Sequence, residues 1–255
     1  MEQRLKIAKN AILKAGDYLK KEFYNRHHVL MKADDTELLD EDLKSEEILM
    51  SEISKFFPAD SFLTEERETE IKSDKIWVFD PICGSYYYLR GVETWSISMA
   101  FISENQYLIG GVYQPLLGNL FWSEKGKGTF GNNKIIHVSD IDEIDKAFIS
   151  VELGIFRSKR FDILKLAQNV KRLRTSGGTG GELSYVAAGY LDGLIKTNQA
   201  LMHFAGGRAI LEEAGGVFLD FSGKPAPTFL DRNKTIDYIA CNKNLASELL
   251  KYVAV

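Results

Sequence analysis

Trp77-Val78-Phe79-Asp80-Pro81-Ile82-Cys83-Gly84-Ser85 is an apolar and aromatic run that ends on a carboxylate, a proline and a glycine-serine pair. Runs of this composition bounded by turn residues read as strands, so a strand is predicted over 76–80. Gly84 and Ser85 then present backbone N–H groups at the start of a helical turn, a geometry that binds phosphate without any metal. The plainer reading is that Gly84 merely serves the backbone turn.

The same signals repeat on either side. Leu5, Ala8, Ile12, Ala15, Leu19 and Phe23 recur at three- and four-residue spacing, the apolar stripe of a long first helix. A second helix is predicted from Asp42 toward Phe57, with Leu49, Ile53 and Phe56 on its inner face. Strands are predicted over 96–102, 108–113 and 120–123, and Asn132-Asn133-Lys134 makes a tight turn. Beyond it, helices at 162–168, 182–191, 203–214 and 245–253 alternate with strands at 148–152, 172–174, 193–196 and 217–220. Such alternation points to a layered α/β architecture.

Composition sets the outer limits. The chain has 255 residues and is 45% hydrophobic, enough for a substantial core, and no Pro/Ser/Gly-rich linker or repeat interrupts it, so residues 1–255 read as one domain. A formal charge of −4 gives no general attraction to nucleic acid or anionic lipid. The first residues are charged where a secretion signal would turn apolar, and no apolar run approaches the roughly 20 residues that span a bilayer, so a cytoplasmic protein is expected. Cys83 and Cys241, the two cysteines, are then not expected to form a structural disulfide.

The Trp77–Ser85 stretch resembles the D-P-(I/L)-D-G-(S/T) motif of the inositol monophosphatase and 3'(2'),5'-bisphosphate nucleotidase family. The resemblance extends through Phe62-Leu63-Thr64-Glu65-Glu66, Asp42 with Glu46, Gly110-Gly111-Val112-Tyr113-Gln114-Pro115, Tyr185 to Gly193, and Glu213-Ala214-Gly215-Gly216, nearly the whole chain. It implies the αβαβα sandwich of the sugar-phosphatase type, commonly a homodimer, acting on a small phosphorylated molecule such as an inositol phosphate, a sugar phosphate or 3'-phosphoadenosine 5'-phosphate. It also implies roles. Glu65 would bind metal and orient the attacking water, which Ser85 would share, and Asp42 would sit in the outer metal shell. Asp80 and the Ile82 carbonyl would bind Mg²⁺, and Gly84, Ser85, Gly178 and Lys196 would line the anion and substrate pocket.

The departures from that pattern fall at the chemistry. The second motif Asp is Cys83, a downstream metal-binding Asp is His203, a substrate-binding Glu is Lys196, and a pocket hydroxyl residue is Gly178. Mg²⁺ is a hard ion with near-octahedral oxygen coordination, so two lost carboxylates weaken its binding. The three charge-changing substitutions make the pocket more positive than the family's by about four charges. The resemblance and its gaps together imply a Mg²⁺-dependent phosphomonoesterase whose activity is lost or strongly reduced, leaving an anion-binding or protein-partner role. The alternative is a working phosphatase with an altered metal site. Glu65, Asp80, Cys83 and His203 also form a possible four-ligand set for Zn²⁺, which accepts S and N donors, against the plainer reading of a decayed pair that simply packs.

Overall fold

The computed structural model describes residues 1–31, 37–152, 154 and 162–253. The first apolar stripe winds into α1 (Glu2–Glu22), followed by a short hairpin of β1 (Val29–Met31) and β2 (Glu37–Leu39), α2 (Asp40–Ser54), β3 (Ser61–Leu63), β4 (Ile76–Cys83) and α3 (Ser85–Leu89). A meander comes next: β5 (Ser96–Ser103), β6 (Gln106–Gln114), β7 (Asn119–Glu124), β8 (Gly128–Gly131) and β9 (Lys134–Ile135). The second half runs β10 (Phe148–Val151), α4 (Ile163–Asn169), β11 (Arg172–Arg174), α5 (Thr179–Ala187), β12 (Gly193–Ala200), α6 (Leu201–Glu213), β13 (Val217–Asp220), β14 (Thr235–Cys241) and α7 (Ala246–Leu249).

β3 to β9 form a seven-stranded sheet in sequence order, and the second sheet has the order β11-β10-β12-β14-β13. The αβαβα sandwich follows from which faces are apolar. α1 and α2 cover one face of the large sheet through Ile12, Leu19, Leu49, Ile53, Trp77, Phe79 and Phe101. α5 and α6 fill the space between the sheets with Leu183, Val186, Phe204 and Ile210. α4 and α7 close the outer face through Leu166 and Leu249. Each such side chain contributes about 1.5–3 kcal/mol on full burial. Gly206 lets α6 lie close on β5: a Cβ there would stand 2.6 Å from the Met99 carbonyl oxygen.

Asn132 and Asn133 both take positive φ between β8 and β9, the two-residue turn expected of them. Phe56 departs from expectation. α2 stops at Ser54, so Phe56 lies beyond its last turn and is 51% exposed rather than inward. The helix expected from Glu182 begins three residues earlier, at Thr179, because Gly178 is its left-handed N-cap. The closing helix holds its α form only over Ala246–Leu249 and continues as a 3-10 turn, Leu250–Tyr252. Among the described residues no helix is long and apolar enough to cross a membrane.

Candidate active site

Strand register places the carboxylates. β3 runs parallel to β4 with Leu63 opposite Val78, so Glu65, two residues past the strand end, comes level with Asp80. On the other side Asp80 faces Ser98 and Cys83 faces Ser96 across β5, three residues of β4 against two of β5. This bulge contains Pro81, which has no N–H to give to the ladder. α2 braces both strands. The Ser45 hydroxyl donates to the Pro81 carbonyl at 3.1 Å, and Glu46 accepts the Glu66 N–H at 3.0 Å. Burial pushes the Glu46 carboxyl up from its ordinary range. Asp42 accepts the Leu39 N–H at 3.0 Å at the start of α2 and is not part of the cavity wall.

Glu65, Asp80 and His203 meet at the head of a cavity of about 630 Å³. Their ligand atoms lie within 4.8 Å of one another, and His203 Nε2 is 3.7 Å from Glu65 Oε1. His203 enters from the first turn of α6, with about a third of its side chain (34%) open to the cleft. Burial disfavours its charge, but the hydrogen bond and charge of Glu65, with the charge of Asp80, outweigh this and push its pKa up to about 9. Asp80 is 1% exposed and its Oδ1 has no hydrogen-bond partner among the described residues. Burial first, then the charge of Glu65, push its carboxyl well above the usual range. The side-chain donors that converge here are therefore two carboxylates and an imidazole, with Ile82 on the same wall.

Cys83 lines the same cavity but does not join that set. Its Sγ accepts the Gly180 N–H at 3.2 Å, in the first turn of α5, and burial followed by the charge of Asp80 pushes the thiol well up. The four-ligand arrangement expected for Zn²⁺ is thus reduced to three. Gly178, also on the wall, has φ +69°, and a Cβ there would stand 2.9 Å from the Thr94 carbonyl oxygen. A hydroxyl side chain at this position is incompatible with the local backbone.

Lys196 lines the cavity, but its charge is already met. Its Nζ lies 2.8 Å from Glu182 Oε2, with the side chains 4% and 2% exposed. The Ser150 and Ser176 hydroxyls donate to the other oxygen of Glu182 at 2.5 and 2.6 Å. Burial alone would lower the Lys196 pKa, but Glu182 and Glu152 reverse it and leave it raised. At Lys196 the expected gain of positive charge is offset locally, because its ammonium is paired with the Glu182 carboxylate. Beside this pair Thr179 donates to Gln199, which donates to Glu152 at 3.1 Å. Arg208 is elsewhere, held by Glu212 and the Pro227 carbonyl.

Ile82, Gly84 and Ser85 lie on the wall as expected, as do Tyr86, Tyr87 and Arg232, the last donating to the Glu65 carbonyl at 2.7 Å. α3 has only five residues, too short for a substantial helix dipole, so any anion at Ser85 depends on its hydroxyl and N–H. Sequence reasoning missed Glu152, Glu182 and Arg232. Glu182 alone of the three carried a signal, as a charge directly after Gly177-Gly178-Thr179-Gly180-Gly181.

Two sheets sandwiched by three helical layers, with an acidic cluster where β3 and β4 end, define the class of layered sugar-phosphatase folds. The model of the inositol monophosphatase family matches residues 1–254, and the chain belongs to that family. Inositol monophosphatase 3 of Solanum lycopersicum is 31% identical to it over 235 residues, 88% of each chain. A fructose-1,6-bisphosphatase/inositol-1-monophosphatase of Thermotoga maritima is 30% identical over 212 residues, 83% of this chain and 80% of that one. Among solved structures, an IMPase of Thermotoga maritima superposes with a TM-score of 0.90 at 27% identity, covering 98% of this chain and 96% of the other.

Proposed function

We propose that this chain is a divergent inositol-monophosphatase-family protein in which Mg²⁺-dependent hydrolysis of phosphate monoesters is lost or strongly reduced, and whose cleft holds a small phosphorylated molecule or another anion. The observation that carries this reading is His203 standing 3.7 Å from Glu65, which sets an imidazole nitrogen among the carboxylate oxygens of the cleft. Mg²⁺ favours near-octahedral oxygen coordination, and the imidazole nitrogen beside the two carboxylates makes the site a poorer one for it. The reading carries with it, as the family implies, one domain over residues 1–255 and a homodimer.

A second reading is favoured by the orphaned Asp80 Oδ1: a working phosphatase with an altered metal site. Phosphate release from inositol phosphates, sugar phosphates and 3'-phosphoadenosine 5'-phosphate, measured with Mg²⁺ beside calorimetric Mg²⁺ titration, separates the two. Weak Mg²⁺ binding and negligible release are expected. Turnover of any of these with Mg²⁺ in the usual enzyme range of roughly 1–10³ s⁻¹ would falsify the first reading.

A further inference from the structure

Three elements each bring one donor to the head of the cleft: Glu65 from beyond β3, Asp80 from β4 and His203 from α6, all within 4.8 Å of one another. Asp80 adds an independent observation. It is 1% exposed, it lines the cavity, and its Oδ1 has no hydrogen-bond partner among the described residues. Buried carboxylate oxygens are ordinarily satisfied, and one left open calls for an ion or other donor. We propose that Glu65, Asp80 and His203 form a site for Zn²⁺, with Cys83 outside it. This deepens the proposed loss of Mg²⁺ chemistry by naming the ion that the altered donor set accepts in its place.

The chemistry favours that ion. Imidazole nitrogen suits Zn²⁺, whereas carboxylate, carbonyl and water suit Mg²⁺. Zn–N and Zn–O bonds of about 2.0–2.2 Å put tetrahedral donors about 3.4 Å apart. The 3.7 Å between His203 Nε2 and Glu65 Oε1 is already close to that, and the whole set lies within 4.8 Å, so the donors draw in on binding the ion. Cys83 stays out because its Sγ, which accepts the Gly180 N–H at 3.2 Å, is not among the donor atoms that lie within 4.8 Å of one another. Three protein donors leave a fourth tetrahedral position open, which separates a ligand-binding zinc from a closed structural one. Glu65, Asp80 and His203 all line the cavity, so an anionic group of a molecule held there would be within reach of the ion.

The test uses the full chain stripped with a chelator. Zn²⁺ is titrated against a chromophoric chelator, Co²⁺ is followed by its visible ligand-field absorption, and Mg²⁺ by calorimetry. One Zn²⁺ per chain is expected, at least about 100-fold tighter than Mg²⁺, and His203→Ala and Asp80→Asn should each weaken it by at least about tenfold. Co²⁺ should give a tetrahedral spectrum without sulfur-to-cobalt charge transfer, and in the wild-type protein should broaden the ring resonances of His203 before those of His27, His28 and His137. That last readout stands even if a variant fails to fold. Absence of stoichiometric Zn²⁺, affinity unmoved in folded His203→Ala, or a sulfur-to-cobalt band that vanishes in Cys83→Ser each overturns the assignment. Failure to bind Zn²⁺ with Mg²⁺-dependent hydrolysis also absent sinks this inference alone, while Mg²⁺-dependent turnover sinks the reading beneath it.

Discussion

The cleft has two walls that treat charge differently. The wall from α2, β3 and β4 keeps Glu65 and Asp80 and braces them through Ser45 and Glu46. The wall from α5, β12 and α6 places His203 and Lys196, where the sequence resemblance leads one to expect carboxylates. Each of those changes comes with an answering charge: His203 faces Glu65, and Lys196 faces Glu182. The difference teaches that Lys196 is paired within the second wall and His203 across to the first, so neither charge stands alone.

The largest expected effect breaks that pairing. Glu182→Leu leaves the Lys196 ammonium buried without its carboxylate, and removing one partner of a buried pair costs about 3–5 kcal/mol. Urea denaturation should show a loss of that order, and Glu182→Leu with Lys196→Met should regain most of it, because an apolar pair of similar volume is often neutral or stabilising. A loss below about 1 kcal/mol in Glu182→Leu would mean the second wall is not a compensated unit. Lys196→Glu alone should be as damaging, since it sets two carboxylates against each other in a buried site.

A middle-sized effect comes from placing carboxylates at one position of each wall, Cys83 on β4 and His203 on α6. Cys83→Asp with His203→Asp returns an all-oxygen donor set, and the new Asp at position 83 can accept the Gly180 N–H that the thiol now takes. Mg²⁺ affinity measured by calorimetry should rise by at least about tenfold, or about 1.4 kcal/mol. If the folded double variant binds Mg²⁺ no better than wild type, these two positions are not altered ligand positions and the contrast between the walls disappears.

The first wall was the more legible in the sequence. β4 announced itself through Trp77, Val78 and Phe79, and the Glu65 and Asp80 motifs are local patterns that survive reading in one dimension. The positions of Cys83 and His203 were legible as departures, and both do line the cleft. Cys83's separation from the other three depends on the bulge at Pro81-Ile82 and on the approach of α5, neither of which a linear pattern encodes. Glu182 was invisible as a partner because it meets Lys196 only when α5 packs on β12, a tertiary contact between residues with no shared periodicity. Asp42 was legible as a motif, and its hydrogen bond to the Leu39 N–H sets it at the start of α2.

The smallest effect sharpens the contrast through proton binding at the point where the walls meet. In chelator-treated protein the His203 ring should titrate near pH 9, far above the ordinary histidine value of about 6.5, and proton-detected imidazole spectra read this directly. Glu65→Gln should lower that midpoint, because the Glu65 carboxylate is the main influence raising it against burial. The sign for stability follows from linkage: the native state binds this proton more tightly than the unfolded chain. His203 therefore contributes stability that is fully present below about pH 6.5 and is lost as pH rises through about 9. The raised carboxyl of Asp80 acts with the same sign in its own range, so it does not mask the trend. Wild type should lose stability across that window relative to His203→Gln, with the two curves converging at the alkaline end. A ring midpoint near 6.5, or parallel curves, would show that His203 does not answer the charge of Glu65 and Asp80, and the two walls would then be electrically independent.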